Sequence, residues 1–130
     1  MEKGLKFNSQ VCTNLEQSKK LLGLGLKPET ADMYIFDDEV YIGKPNVDDI
    51  PAWSLHRLVQ LMPPYLHFDK YADTRYYLTL KPSCLTKVLY RQDNGGWIYG
   101  SESSNNYDAI IDVIKYLIKA NHFNKEYLKQ

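Results

Sequence analysis

Cysteine is scarce: only Cys12 and Cys84 occur in 130 residues, far apart and in no metal-binding or redox spacing. That fits free thiols in a reducing compartment better than a disulfide framework, with a single bridge left open. Charge of one sign is equally lacking, because Lys plus Arg and Asp plus Glu both number 16. No overall field therefore draws the chain to nucleic acid or to an anionic membrane, and only a local basic patch is left open. No apolar run approaches membrane-spanning length, and Met1-Glu2-Lys3-Gly4-Leu5-Lys6-Phe7 is not followed by the apolar stretch of a signal peptide. A soluble, cytoplasmic protein is expected. Repeats, low-complexity tracts and convincing linkers are missing too, so 130 residues read as one domain, with flexibility confined to the termini. What is abundant is tyrosine, 11 residues beside 4 Phe and 2 Trp. Tyrosine is amphipathic and serves equally in a half-buried sheet and in a binding surface.

The stretch Ile50 to Pro64 is the most fully specified. Ser54 can cap a helix by accepting from the backbone N–H of His56 or Arg57, and Trp53 and Leu58 stand at the two positions of a hydrophobic staple. Leu55, Leu58, Val59 and Met62 form one apolar stripe, and Pro63-Pro64 ends the helix. Upstream, Thr13 and Glu16 have capping-box spacing, with Leu15, Leu22 and Leu26 near one face and Gly25 and Pro28 closing the helix. Leu5 and Phe7 alternate with polar residues and read as a short strand or arm.

Met33–Phe36 and Val40–Ile42, joined by acidic residues, predict a hairpin. Tyr76–Leu80, Val88–Tyr90 and Trp97–Tyr99 predict three more strands, the last two joined by the turn Asp93-Asn94-Gly95-Gly96, with Pro82 marking an end or an edge. Asn105 or Asn106 caps a final helix whose apolar face carries Ile110, Ile111, Ile114, Leu117 and Ile118. The order α-β-β-α-β-β-β-α predicts an α+β domain in which helices pack on a mainly antiparallel sheet of about five strands.

The blocks Glu16–Leu22 with Gly25-Leu26, then Glu29–Met33, then Ile50–Leu55 with Leu61-Met62-Pro63 form a recognisable series. It resembles small uncharacterised proteins encoded by gut Bacteroidetes and by their phages and other mobile elements. The likeness covers most of the chain, is specific up to Pro63, and brings no activity, cofactor or catalytic residue with it. What it implies is a setting, that of an intracellular accessory protein.

Catalytic constellations are weak. Ser54, His56, His67 and Asp69 invite a Ser-His-Asp reading, but residues two apart on a helix diverge, no glycine elbow flanks Ser54, and capping explains the serine. His67 with Asp69 and Asp73, or Asp37, Asp38 and Glu39 with Asp48 and Asp49, lack the alternation and pivotal glycine of a Ca²⁺ loop. No catalytic residue, metal ligand or cofactor is therefore assigned. His122 is read as bonding the last carbonyls of the final helix, and Cys84 as a buried or half-buried inert thiol.

The expected function is binding of another macromolecule, a protein first, with an oligomer of the chain itself left open. The residues expected to touch a protein partner are Tyr65, Tyr71, Tyr77, Trp97 and Tyr99, because Tyr and Trp present large area at low entropic cost; Tyr107 is read with Tyr65 and Tyr71 as a loop tyrosine. The alternative is single-stranded nucleic acid, stacked on a sheet through Tyr76, Tyr77, Tyr90, Arg91 and Trp97. A small hydrolase or metal enzyme is a third reading.

Overall fold

Ser54 caps its helix as its residue type requires: the side chain accepts from Arg57 N at 3.1 Å, and the following residues Leu55–Leu61 form α2. Around that helix a computed structural model describes residues 10–68, 74–82 and 84–129. The expected strand or arm at Leu5–Asn8 lies outside the described residues. In chain order the elements are α1 (Leu15–Gly23), β1 (Met33–Phe36), β2 (Glu39–Ile42), β3 (Ile50–Ala52), α2, β4 (Tyr65–His67), β5 (Arg75–Lys81), β6 (Thr86–Arg91), β7 (Trp97–Ser103) and α3 (Asn106–Lys119). The class is α+β, as its local signals foretell.

The strand count is a correction. Two further strands, β3 and β4, divide the β structure into a three-stranded sheet β2-β1-β3 and a four-stranded sheet β4-β5-β6-β7, both antiparallel. Ile50-Pro51-Ala52 reads locally as the approach to a helix, yet it pairs with β1, with Pro51 opposite Tyr34 on an edge strand where a missing N–H is tolerated. Each new strand is three residues long, too short for any alternation to register.

Capping is corrected at α1. The box is Asn14 with Gln17, the Asn14 side chain accepting from Gln17 N at 2.8 Å and Gln17 Oε1 accepting from Asn14 N at 3.0 Å. Thr13 cannot serve, because its buried hydroxyl oxygen lies 2.8 Å from Ser18 Oγ and accepts from Trp53 N at 3.0 Å. Leu15 is exposed, and the buried residues of α1 are Gln17, Ser18 and Leu21. Gly25, at φ 104, lets Gly25 N donate to Leu22 O and Leu26 N to Leu21 O, closing α1 with a left-handed turn.

One polar network joins the first half of the chain to α2. Trp53 is fully buried and its indole N–H donates to Thr30 Oγ1 at 3.0 Å; Thr30 Oγ1 in turn donates to Lys27 O, and Arg57 Nε donates to Thr30 O at 2.7 Å. Asp32 accepts from Ser54 N at 2.9 Å and from Ser54 Oγ at 2.6 Å. The Trp53 indole, the Thr30 hydroxyl and the Ser54 hydroxyl of this junction each have a partner, which is the condition for burying such groups cheaply. The blocks around Thr30 and Trp53 are parts of one fold junction.

The main core lies between α1, α2, α3 and the inner face of the four-stranded sheet. Leu21, Leu58, Leu61, Val88, Tyr90, Ile110, Ile114 and Leu117 are its centre. α3 is capped by Asn105, whose side chain accepts from Tyr107 N and Asp108 N. It ends with Asn121 in the left-handed region at φ 62, His122 N donating to Leu117 O. Tyr107, read as a loop residue, is buried in the first turn of α3, where its hydroxyl donates to Gln10 O.

Candidate functional site

The strands β4 to β7 carry two different surfaces, because successive side chains of a strand point to opposite faces and residues paired across a ladder share one. The register Tyr65↔Tyr77, Tyr77↔Arg91, Arg91↔Trp97 draws these four residues into a single row crossing the whole sheet. α3 covers the inner face, so the row lies on the outer one. Tyr65, Tyr77 and Trp97 are all exposed, Trp97 by 65%. Their neighbours on the same face are Arg75, whose guanidinium lies 4.7 Å from the centroid of the Tyr65 ring, and the pair Lys81↔Lys87 further along β5 and β6.

An open groove of about 380 Å³ runs along this face beside Trp97, lined by Lys81, Lys87, Leu89, Arg91 and Gly100 among others. Its floor depends on a bulge. The β6–β7 register slips by one residue between Val88 and Tyr90, and Tyr99 takes up the slip in the left-handed region at φ 54. The indole of Trp97 then lies over Gly100: a Cβ placed there would stand 3.0 Å from a Trp97 ring carbon. A side chain at Gly100 would lift the ring. One face of the indole is thus backed by protein, and Leu89 is buried although it belongs to the outer face.

Charge on this face departs from the neutral balance of the chain. Arg75, Lys81, Lys87 and Arg91 are opposed on the strands by Glu102, which stands 3.8 Å from Lys87 with both partners exposed. Such a pair holds little energy and is readily exchanged for another ligand. Compensating acid is concentrated elsewhere, in Asp37, Asp38 and Glu39 at the tip of the β1–β2 hairpin and in Asp48 and Asp49 beyond it.

Of the residues expected to contact a protein, Tyr65, Tyr77 and Trp97 come together on the outer face, and Tyr71 lies outside the described residues. Tyr99 is corrected: the bulge turns it to the inner side, half-buried against the core, with its ring centroid 6.0 Å from that of His122. Of the residues named for nucleic acid, Tyr77, Arg91 and Trp97 share the outer face. Tyr76 and Tyr90 do not. Tyr76 packs edge-on to Phe68 at 5.7 Å and its hydroxyl accepts from Gln92 Nε2, while Tyr90 is fully buried and donates to Pro63 O at 2.7 Å. Burial pushes the Tyr90 hydroxyl well above the usual tyrosine range. Arg75, Lys81, Lys87 and Leu89 join the same candidate face without having been singled out in the sequence, although the alternation Arg75, Tyr77, Thr79, Lys81 with Lys87, Leu89, Arg91 carries the signal.

The remaining candidates are dispersed. Ser54 Oγ is committed to Asp32 and to the helix cap, and His56 is exposed. His67 pairs with Arg75 on β4 and β5, and Asp69 and Asp73 lie outside the described residues. Among the described residues no group of three or more His, Cys, Asp and Glu side chains could hold a metal ion, and no helix is long and apolar enough to cross a membrane. His122 bonds the end of α3 through its backbone N–H, its ring standing edge-on to Phe68 at 5.1 Å. Cys84 is exposed, and the buried thiol is Cys12, raised above its ordinary pKa first by burial and then by the nearby Asp32 charge.

Comparisons of the chain with protein-family models, with curated proteins and with solved structures found no match in any of the three.

Proposed function

We propose that this is a non-catalytic binding protein whose outer sheet face takes single-stranded nucleic acid. The observation that carries the proposal is the row Tyr65, Tyr77, Arg91 and Trp97, three exposed rings and a guanidinium in register, with Arg75, Lys81 and Lys87 beside it. Exposed rings stack on bases of any sequence, and cations spaced along the same face meet the phosphates between them. A duplex hides its base faces, so this surface favours the single strand. The setting implied by the family likeness, an accessory protein of a phage or mobile element, belongs to the same proposal.

The test is a fluorescence-anisotropy titration with labelled oligothymidylate, oligouridylate and a duplex of equal length. Both single strands are expected to bind and the duplex to bind weakly. If all four cations neutralise phosphates, raising salt from about 50 to about 200 mM should weaken binding by up to about 50-fold, from the slope expected for single strands. Failure of both single strands to bind at the lower salt would sink the proposal.

Protein binding on the same face is the second reading, supported by the neutral balance of the whole chain and by the residue types, since Trp, Tyr and Arg dominate protein hot spots. An acidic peptide binding where the oligonucleotides do not would decide for it.

A further inference from the structure

Among the described residues β2 is one of the two edges of the smaller sheet, β3 being the other, and every residue of β2 is exposed. Gly43 N donates to Asp32 O at 2.9 Å, so Asp32 and Gly43 are a hydrogen-bonded pair of the β1–β2 ladder. Pairs alternate along an antiparallel ladder; with Met33↔Ile42, Tyr34↔Tyr41 and Ile35↔Val40 in register, the bonds to β1 therefore fall at Tyr41, and the N–H and C=O groups of Val40 and Ile42 point away from it. The side chains of those two residues lie on the face shared with Met33, Ile35, Ile50 and Ala52, wholly apolar, and Ile42 is 87% exposed. Tyr41 projects from the other face, stacked on Tyr34 at 5.3 Å. The two outward-bonding residues are apolar and the strand holds neither lysine nor proline, so its shortness and Glu39 at its start are what guard this edge against pairing.

We infer that β2 pairs with β2 of a second copy of this chain, antiparallel about a two-fold axis at Tyr41. The sequence of the edge is complementary to itself in that register. Val40 faces Ile42 of the second copy and the reverse, forming two hydrogen-bonded pairs that each exchange two backbone bonds. The two Tyr41 residues face each other across the axis, extending the Tyr34–Tyr41 stack into the second copy. Asp38 and Glu39 at one end of the strand come alongside Lys44 just beyond the other end of the second copy, and the arrangement is repeated by symmetry. The charge match selects the second copy over a generic strand donor, because acid stands at the start of the edge and lysine at its end. The interface is small, and a dissociation constant weaker than those of obligate dimers is expected.

Sedimentation equilibrium of the full chain, without nucleic acid, from low micromolar to about 1 mM covers the range that a small interface reaches. The expected result is a monomer–dimer equilibrium that Ile42→Lys abolishes while leaving the circular dichroism spectrum and melting temperature unchanged. Register is tested by cysteine cross-linking in a Cys84→Ser background. Tyr41→Cys should yield a disulfide-linked dimer under mild oxidation, since a facing non-hydrogen-bonded pair satisfies disulfide geometry. Val40→Cys and Ile42→Cys each face a different residue and should cross-link far less. A monomer throughout the series, a dimer that survives Ile42→Lys, or equal cross-linking at all three positions would overturn the inference.

Discussion

Tyr76 and Tyr77 are neighbours in β5 with opposite fates, and so are Tyr90 and Arg91 in β6. The even-numbered residue of each pair turns inward, Tyr76 against Phe68 and Tyr90 into the centre of the core with its hydroxyl bonded to Pro63 O. The odd-numbered residue turns to solvent and joins the row that ends at Trp97. The inner face spends its aromatics on packing, where every polar tip must find a partner. The outer face leaves rings and guanidinium unburied. An antiparallel sheet can keep a solvated face, but the usual solvated face is merely polar. A sheet-wide row of exposed rings beside four cations is what separates this one from the ordinary case.

The comparison breaks if the two faces respond alike to truncation. The largest effect is expected inside: Tyr90→Ala and Trp53→Ala should each lose about 3 to 5 kcal/mol of stability in urea unfolding, for the ring volume removed from the core. Trp53→Ala also leaves Thr30 without its indole donor. An unfolding midpoint within error of the parent for either variant would place that residue outside the core. On the outer face, Trp97→Ala and Tyr77→Ala should change stability by no more than about 0.5 kcal/mol. Each should weaken single-strand binding by about 1 to 3 kcal/mol, or roughly 5- to 150-fold in the dissociation constant. Equal affinity of variant and parent would remove that ring from the binding surface.

Two smaller effects sharpen the contrast. Asn105→Ala removes the cap of the helix that covers the inner face, and about 1 kcal/mol of stability should go with it, with oligonucleotide affinity unchanged. Tyr90→Phe deletes one buried hydrogen bond and should cost about 1 kcal/mol at neutral pH. Its pH dependence has a definite sign. The folded state holds the Tyr90 proton above the pH at which the unfolded chain releases it, so the stabilisation is fully present below about pH 10 and declines as pH rises beyond that value. The parent should therefore lose stability between about pH 9 and pH 11 more steeply than Tyr90→Phe, as urea midpoints across that interval would record.

Local signals in the sequence were legible where a residue acts on its own neighbours. Ser54 and Asn105 cap because their side chains reach N–H groups within three residues, and Gly25 ends α1 because its own φ permits it. What escaped was decided at a distance. Asn14 caps in place of Thr13 because a backbone N–H of Trp53 occupies the Thr13 hydroxyl. β3 and β4 exist only through their partners β1 and β5. The outer-face rings could be grouped by alternation, but which face the helix would cover follows from the docking of α3. Tyr99 shows the sharper limit: alternation from Trp97 puts it outside, and a one-residue bulge with a non-glycine residue at positive φ brings it in.

The junction around Thr30 and Trp53 also has a kinetic consequence. β5, β6, β7 and α3 follow one another in sequence and pack each on the next, so that half of the molecule closes only short loops as it forms. The hydrogen bond from Trp53 N to Thr13 spans 40 residues, and the bonds to Thr30 and Asp32 span more than 20. Those long closures are expected after the barrier, when the C-terminal half already offers a surface to dock on. Weakening the junction would then hasten unfolding and leave the folding rate nearly untouched, whereas weakening the β6–α3 packing would slow folding itself.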